Sequence, residues 1–146
     1  MIGYKIARQH KFTLLFMDFD GFKQVNDKFG HSIGDEALKA GVQRIKDSIR
    51  LNDHVARLGG DEFLVILNDL TDKAVVSRIC NTLLKDFSVD FILNKNICKM
   101  GLSIGVSMFP MDSNNADELI DNADKAMYQV KDEGKNNFKF FEDMKE

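Results

Sequence analysis

Residues 57–67 read Arg-Leu-Gly-Gly-Asp-Glu-Phe-Leu-Val-Ile-Leu. Two adjacent glycines lead into two adjacent carboxylates, Asp61 and Glu62, and an apolar run follows over residues 63–67. Glycine lacks Cβ, tolerates positive φ and lets another group approach the backbone closely. A short apolar run bounded by a turn reads as a buried strand. The stretch therefore predicts a hairpin with paired acids at its tip and a rigid outgoing strand, a sensible place to hold a metal and a phosphate. The alternative is an ordinary hairpin with solvated acids, because Gly-Gly-Asp is common turn chemistry.

Working outward, residues 55–58 supply the incoming strand of that hairpin. Toward the N-terminus, residues 2–9 read as the end of a helix and 13–19 as a strand bounded by Asp20-Gly21. Phe22–Phe29 is a short helix stopped by Gly30. Residues 34–49 form a longer helix, with Ala37, Leu38, Gly41, Val42, Ile45 and Ile49 at helical spacing. Ser32 is its expected cap, and Asp35 and Glu36 suit its first turn. Toward the C-terminus, residues 72–87 form a third amphipathic helix. Residues 89–93 and 97–108 read as two strands joined at Asn94-Lys95-Asn96. Residues 116–133 are the last long helix, ended by Gly134, and 138–141 a closing strand. Mixed strands and helices with at least one hairpin predict an α+β (mixed α/β) fold around one central sheet.

Composition narrows the function classes. At 146 residues the chain makes one domain, 1–146, large enough to bury a core. With 29% charged and 44% hydrophobic residues it is globular rather than disordered. A net charge of −3 and no basic block argue against a nucleic-acid partner. Cys80 and Cys98 stand far apart without a zinc-binding pattern and read as reduced thiols. No apolar run approaches membrane-spanning length and no signal peptide is evident, so a cytoplasmic domain is expected. A membrane-attached parent protein is left open.

Further motifs flank the hairpin. The first strand ends in Met17-Asp18-Phe19-Asp20-Gly21-Phe22-Lys23, and alternation puts Asp18 and Asp20 on one face. Acids there, beside a hairpin that also carries acids, suit a hard cation such as magnesium, which wants one or two carboxylates plus phosphate oxygens. A turn-forming Asp-x-Asp-Gly is the plain alternative. Asn26-Asp27-x-x-Gly30-His31-x-x-Gly34-Asp35 offers an amide and carboxylates of the kind that read the guanine edge. Equally, these residues could merely end one helix and start the next. Lys131 and Lys135 bracket a helix C-terminus, where they could grip phosphates or simply complement the helix dipole. Arg50-Leu51-Asn52-Asp53 precedes the glycine turn and could be no more than a loop ion pair.

Four ordered blocks carry a resemblance: MDFDGFKQVNDKFGHSIGDEAL at 17–38, RLNDHVARLGGDEFLVIL at 50–67, GLSIGVSMFPMD at 101–112 and ADKAMYQVKDEGKNN at 123–137. Together they resemble the GGDEF family of diguanylate cyclases, over nearly the whole chain. The resemblance implies a fold like the nucleotide-cyclase domain and the polymerase palm, a mainly antiparallel five-stranded sheet with helices on both sides. It implies condensation of two GTP molecules into cyclic di-GMP and two pyrophosphates, in bacterial second-messenger signalling. Each domain would bind one GTP, and two would face each other as a homodimer. By family position Asp18, the Phe19 carbonyl and Asp61 would hold magnesium, or manganese in its place, with Glu62 assisting. Asp61 would act as the base toward the 3′-hydroxyl, and Lys23 would stabilise phosphate charge. Asn26 and Asp35 would read guanine with His31 beside the sugar or base, and Lys131 and Lys135 would bind the outer phosphates. Arg50 and Asp53 match the family's RxxD inhibitory site, which implies feedback inhibition by cyclic di-GMP.

There are departures. The DxLTGLxNR segment with which the family usually opens is absent, and only a helix tail stands in its place. Lys135 stands where Arg is usual, which removes bidentate phosphate binding there. The stretch Phe140-Phe141-Glu142-Asp143-Met144 resembles the linker into an EAL phosphodiesterase domain. An upstream sensor and a downstream EAL domain are thus expected neighbours. The alternative function is a catalytically weak GTP- or cyclic di-GMP-binding module coupled to that EAL domain.

Overall fold

A computed structural model describes residues 2–144. Helix α1 (Ile2–Ala7) leads to strand β1 (Phe12–Asp20), then helices α2 (Phe22–Phe29) and α3 (His31–Ser48). The hairpin β2 (His54–Gly59) and β3 (Glu62–Asn68) follows, then α4 (Lys73–Phe87), the short strands β4 (Phe91–Leu93) and β5 (Asn96–Cys98), β6 (Gly101–Phe109), α5 (Ala116–Asp132) and β7 (Asn137–Phe140). A single 3₁₀ turn at Phe141–Asp143 ends the description.

The main sheet has five strands in the order β2-β3-β1-β6-β7. Every pairing is antiparallel except β6 with β7. The mainly antiparallel sheet flanked by helices that the sequence predicts is therefore present. β1 is central and buried on both faces, so its side chains divide by the two-residue period. Leu15, Met17 and Phe19 join the core that includes Ile45 of α3 and Leu83 of α4. Phe12, Leu14 and Phe16 join the core built with Leu119, Ala123 and Met127 of α5. The same alternation sends Asp18 and its cross-strand partner Glu62 toward α5.

Two local expectations are corrected. Residues 97–108 are not one strand: Asn96–Cys98 pairs with β4 in a separate two-stranded sheet, and β6 starts afresh at Gly101. The chain changes sheets at Lys99-Met100, where Lys99 pairs with Asp90 at 2.9 Å and Met100 is buried. The long helix starts at His31 rather than residue 34, so Ser32 lies inside its first turn and does not cap it. Capping appears where the sequence offers clear caps elsewhere. Asp72 accepts from the Ala74 and Val75 amides at 2.9 and 3.2 Å, and Asn115 accepts from Glu118 at 3.0 Å. Among the described residues no helix is long and apolar enough to cross a membrane.

Candidate active site

The glycine hairpin closes against the end of β1. Gly60 has φ of 51°, a left-handed conformation that favours glycine, and the β2–β3 register shifts between Arg57 and Gly59. Arg57 donates through Nε to the Gly60 carbonyl at 2.9 Å, bracing the turn. The Phe19 amide donates to the Asp61 carbonyl at 3.2 Å, tying the hairpin tip to β1. Below, the Phe19 ring stacks on Phe63 with centroids 4.7 Å apart. Asp61 is thereby held beside Asp18 by backbone pairing and aromatic packing together.

The acids repel one another. Burial first, then the neighbouring Asp18 carboxyl, push the Asp61 carboxyl up to about 6, with Lys131 pulling the other way. Burial and the neighbouring Asp18 and Asp124 also raise Glu62. Asp18 is buried; its Oδ2 accepts from Lys131 Nζ, while its Oδ1 is buried with no hydrogen-bond partner. Burial opposes the charge on Lys131, yet the Asp18 hydrogen bond and the Asp18, Asp20 and Asp61 charges hold its ammonium above the ordinary value.

A partnerless buried carboxylate oxygen beside a second acid with raised proton affinity is a donor set that fits a cation. All its ligands are hard oxygens, which suits magnesium or manganese. Among the described residues no group of three or more His, Cys, Asp and Glu is gathered closely enough to hold a metal.

The other expected residues stand on α2, α3 and the segment after α5. Lys23 is exposed in the first turn of α2, and His31 and Asp35 are exposed in the first turns of α3. Asn26 is pressed against α3: a Cβ at Gly34 would lie 1.7 Å from its Oδ1, so only glycine fits there. Asn26 is therefore brought beside the residue that precedes Asp35. Lys135 is exposed after α5, with its amide donating to the Val130 carbonyl at 2.9 Å.

Arg50 and Asp53 lie apart from the ledge, at the far end of β2. Arg50 forks onto Asp53, Nε to Oδ2 at 3.1 Å and Nη2 to Oδ1 at 2.9 Å. The Arg50 and Asn68 amides donate to the same carboxylate at 2.9 and 3.0 Å. Asp53's side chain is 1% exposed and fully engaged, whereas Arg50's is 49% exposed. The guanidinium is thus the outward-facing member, and it lines a cavity of about 200 Å³ with Lys46, Ile49, Leu51 and Val55.

Sequence reading missed two members. Asp124 sits on α5 two turns before Lys131; its Oδ1 is buried without a partner, and burial, Asp121 and Asp18 raise its carboxyl. Their seven-residue spacing on one helix was the available signal. Ser103 faces Asp18 across β6 and donates to Asp20 Oδ2 at 2.7 Å, a contact no local pattern reveals.

Comparison with known proteins agrees with this geometry. The model of the diguanylate cyclase GGDEF domain matches residues 3–137. The chain is 41% identical over 141 residues to the bifunctional diguanylate cyclase/cyclic di-GMP phosphodiesterase MucR of Pseudomonas aeruginosa; the match covers 97% of this chain and 20% of MucR. The chain thus spans about a fifth of that relative. The GGDEF domain of TpbB (YfiN) from the same organism superposes with a TM-score of 0.88 at 31% identity, over 95% of this chain and 87% of that one. An EAL/GGDEF domain protein from M. capsulatus superposes with a TM-score of 0.84 at 35% identity, over 96% and 93%. Family match, fold and the acid-bearing glycine hairpin agree that this chain belongs to the GGDEF, diguanylate cyclase, family.

Proposed function

We propose that this domain condenses two GTP molecules into cyclic di-GMP and two pyrophosphates, working as half of a homodimer. The observation that carries the reading is the Asp18–Asp61 pair: two acids held together by the fold, one with a partnerless buried oxygen and the other with raised proton affinity. Asp18, the Phe19 carbonyl and Asp61 would hold magnesium or manganese, with Glu62 beside them. That ion supplies charge neutralisation at the reacting phosphate and acidifies the attacking hydroxyl.

The remaining steps belong to the chain's own residues. Asn26 and Asp35 orient guanine, and His31 lies near the sugar or base. Lys23, Lys131 and Lys135 meet the phosphate charge. Asp61 takes the proton of the 3′-hydroxyl. The freed oxygen bonds to the α-phosphorus of the GTP on the facing domain. The bond from that phosphorus to the bridging oxygen breaks, and pyrophosphate leaves with the electron pair. One domain supplies half of the reacting pair, so facing two domains converts the condensation into an oriented encounter.

Arg50 would take the product through its exposed guanidinium edge, with Asp53 as the buried brace that aims it, giving feedback inhibition. A sensor upstream, an EAL domain downstream and a cytoplasmic setting complete the proposed context. The test is GTP turnover with magnesium by the chain within its parent protein. Cyclic di-GMP formation supports the reading, and no product from a dimeric parent refutes it. Asp35→Ala should abolish GTP binding.

A second reading is favoured by Lys135 in place of Arg and by the likeness to the EAL/GGDEF protein. In it the domain binds GTP or cyclic di-GMP with little turnover and regulates a neighbouring EAL domain. Calorimetric binding without product formation would select it.

A further inference from the structure

Asp18 and Asp20 share one face of β1, yet the structure divides their work. Asp20 Oδ2 accepts from Ser103 Oγ at 2.7 Å and from the Asn136 amide at 3.0 Å. Ser103 belongs to β6, and Asn136 directly precedes β7, whose Asn137 pairs with Ser103. One carboxylate oxygen therefore ties three strands together at the end where the acids lie.

The segment it holds is unusual. Between α5 and β7, Gly134, Lys135 and Asn136 have φ of 120°, 65° and 51°. Two of these are not glycine, and such backbone persists only where its surroundings over-determine it. Two anchors do so: the Lys135 amide on the Val130 carbonyl at 2.9 Å, and the Asn136 amide on Asp20. Lys135 lies between them. Without the second anchor the tract is free to relax toward ordinary φ, and Lys135 swings with it.

We propose that Asp20 is a positioning residue for the nucleotide, fixing the left-handed tract 134–136 so that Lys135 is aimed at the outer phosphates. This rests on the nucleotide reading above and adds to it an acid that acts through Lys135: its Oδ2 holds the tract, while its Oδ1 is buried without a hydrogen-bond partner. Asparagine at position 20, with its amide oxygen in the place of Oδ2, can still accept from both the Asn136 amide and Ser103 Oγ, so it should preserve the arrangement, whereas alanine removes it.

The test is calorimetric titration with a non-hydrolysable GTP analogue and magnesium, alongside amide hydrogen exchange at Asn136. Asp20→Ala should weaken binding about tenfold and speed Asn136 exchange, the loss expected for charge-assisted hydrogen bonds. Asp20→Asn should stay within about twofold of wild type, because both contacts can re-form. In a Lys135→Ala background Asp20→Ala should weaken binding no further, since the effect runs through Lys135. If Asp20→Ala fails to fold, Ser103→Ala reports instead, with about threefold weaker binding expected from one lost hydrogen bond. Wild type that binds no analogue overturns the nucleotide reading and this proposal with it. Wild type that binds while Asp20→Ala binds equally well, or Asp20→Ala that is equally harmful without Lys135, overturns the positioning role alone.

Discussion

The two ends of β2 carry carboxylates with opposite fates. At Asp53 every oxygen is engaged: two bonds come from the Arg50 side chain and two from backbone amides. At the Asp18–Asp61 ledge one oxygen is buried without a partner, and the second acid is pushed toward the protonated form. A buried polar group is ordinarily satisfied, and an exception asks for an explanation. The satisfied carboxylate braces the arginine it holds. The unsatisfied pair is less stable by itself than it would be with a cation or a proton.

The sharpest way to break this contrast is by activity. Asp61→Asn keeps the shape and removes the charge. Turnover of GTP should fall by about a thousandfold, the scale for losing a base together with a metal ligand. A residual rate within tenfold of wild type would remove Asp61 from the chemistry.

Next in size is the stability effect at the other end. Asp53→Asn cannot serve the Arg50 guanidinium and both amides at once. It should cost about 3 kcal/mol, because donors built around a buried carboxylate are left unmatched. Chemical denaturation measures it. A loss under about 1 kcal/mol would mean that Asp53 is a ligand-facing group rather than a brace.

Arg50→Ala probes what the brace presents. The inhibition constant for cyclic di-GMP should rise about tenfold or more, as expected for losing a forked guanidinium contact. The stability loss should be smaller than for Asp53→Asn, since the Arg50 and Asn68 amides still satisfy the carboxylate. Unchanged inhibition would detach product control from this corner.

Sequence made one of these ends far more legible than the other. The acids of the ledge stand on recognisable elements, a strand end and a glycine turn, and the helix that follows that strand has the expected bounds, Phe22–Phe29. Alternation along β1 and β3 then dictates that Asp18 and Glu62 share a face. The corner is different. Arg50 and Asp53 are only three residues apart, but the amide that completes Asp53 comes from Asn68, fifteen residues away across the hairpin. No local period encodes such a bond. The same blindness joined β5 to β6: an apolar run says that strands are present, not which sheet each one enters. Asp124 was hidden for a third reason, because a charge on an amphipathic helix reads as solvated until the packing partner of that face is known.

The smallest effect tests the ledge without its substrate. In the folded protein Asp61 titrates at about 6, above its ordinary value of 3.8. Between those values the folded state holds the proton more tightly than the unfolded state does. The stability this confers is complete below the lower value and is lost as pH rises through the higher one. Asp61→Asn has no proton to lose, so it should match wild type near pH 4 and melt higher at about pH 7.5 in metal-free buffer. Asp61 is half-buried, and solvent screening trims the gain to about 2 °C. Magnesium with a GTP analogue should reverse the order, because only wild type then gains from binding to its folded state. A melting difference that is absent at pH 7.5, or identical at pH 4, would show that the two acids do not strain each other. The contrast between the ends of β2 would then rest on Asp53 alone.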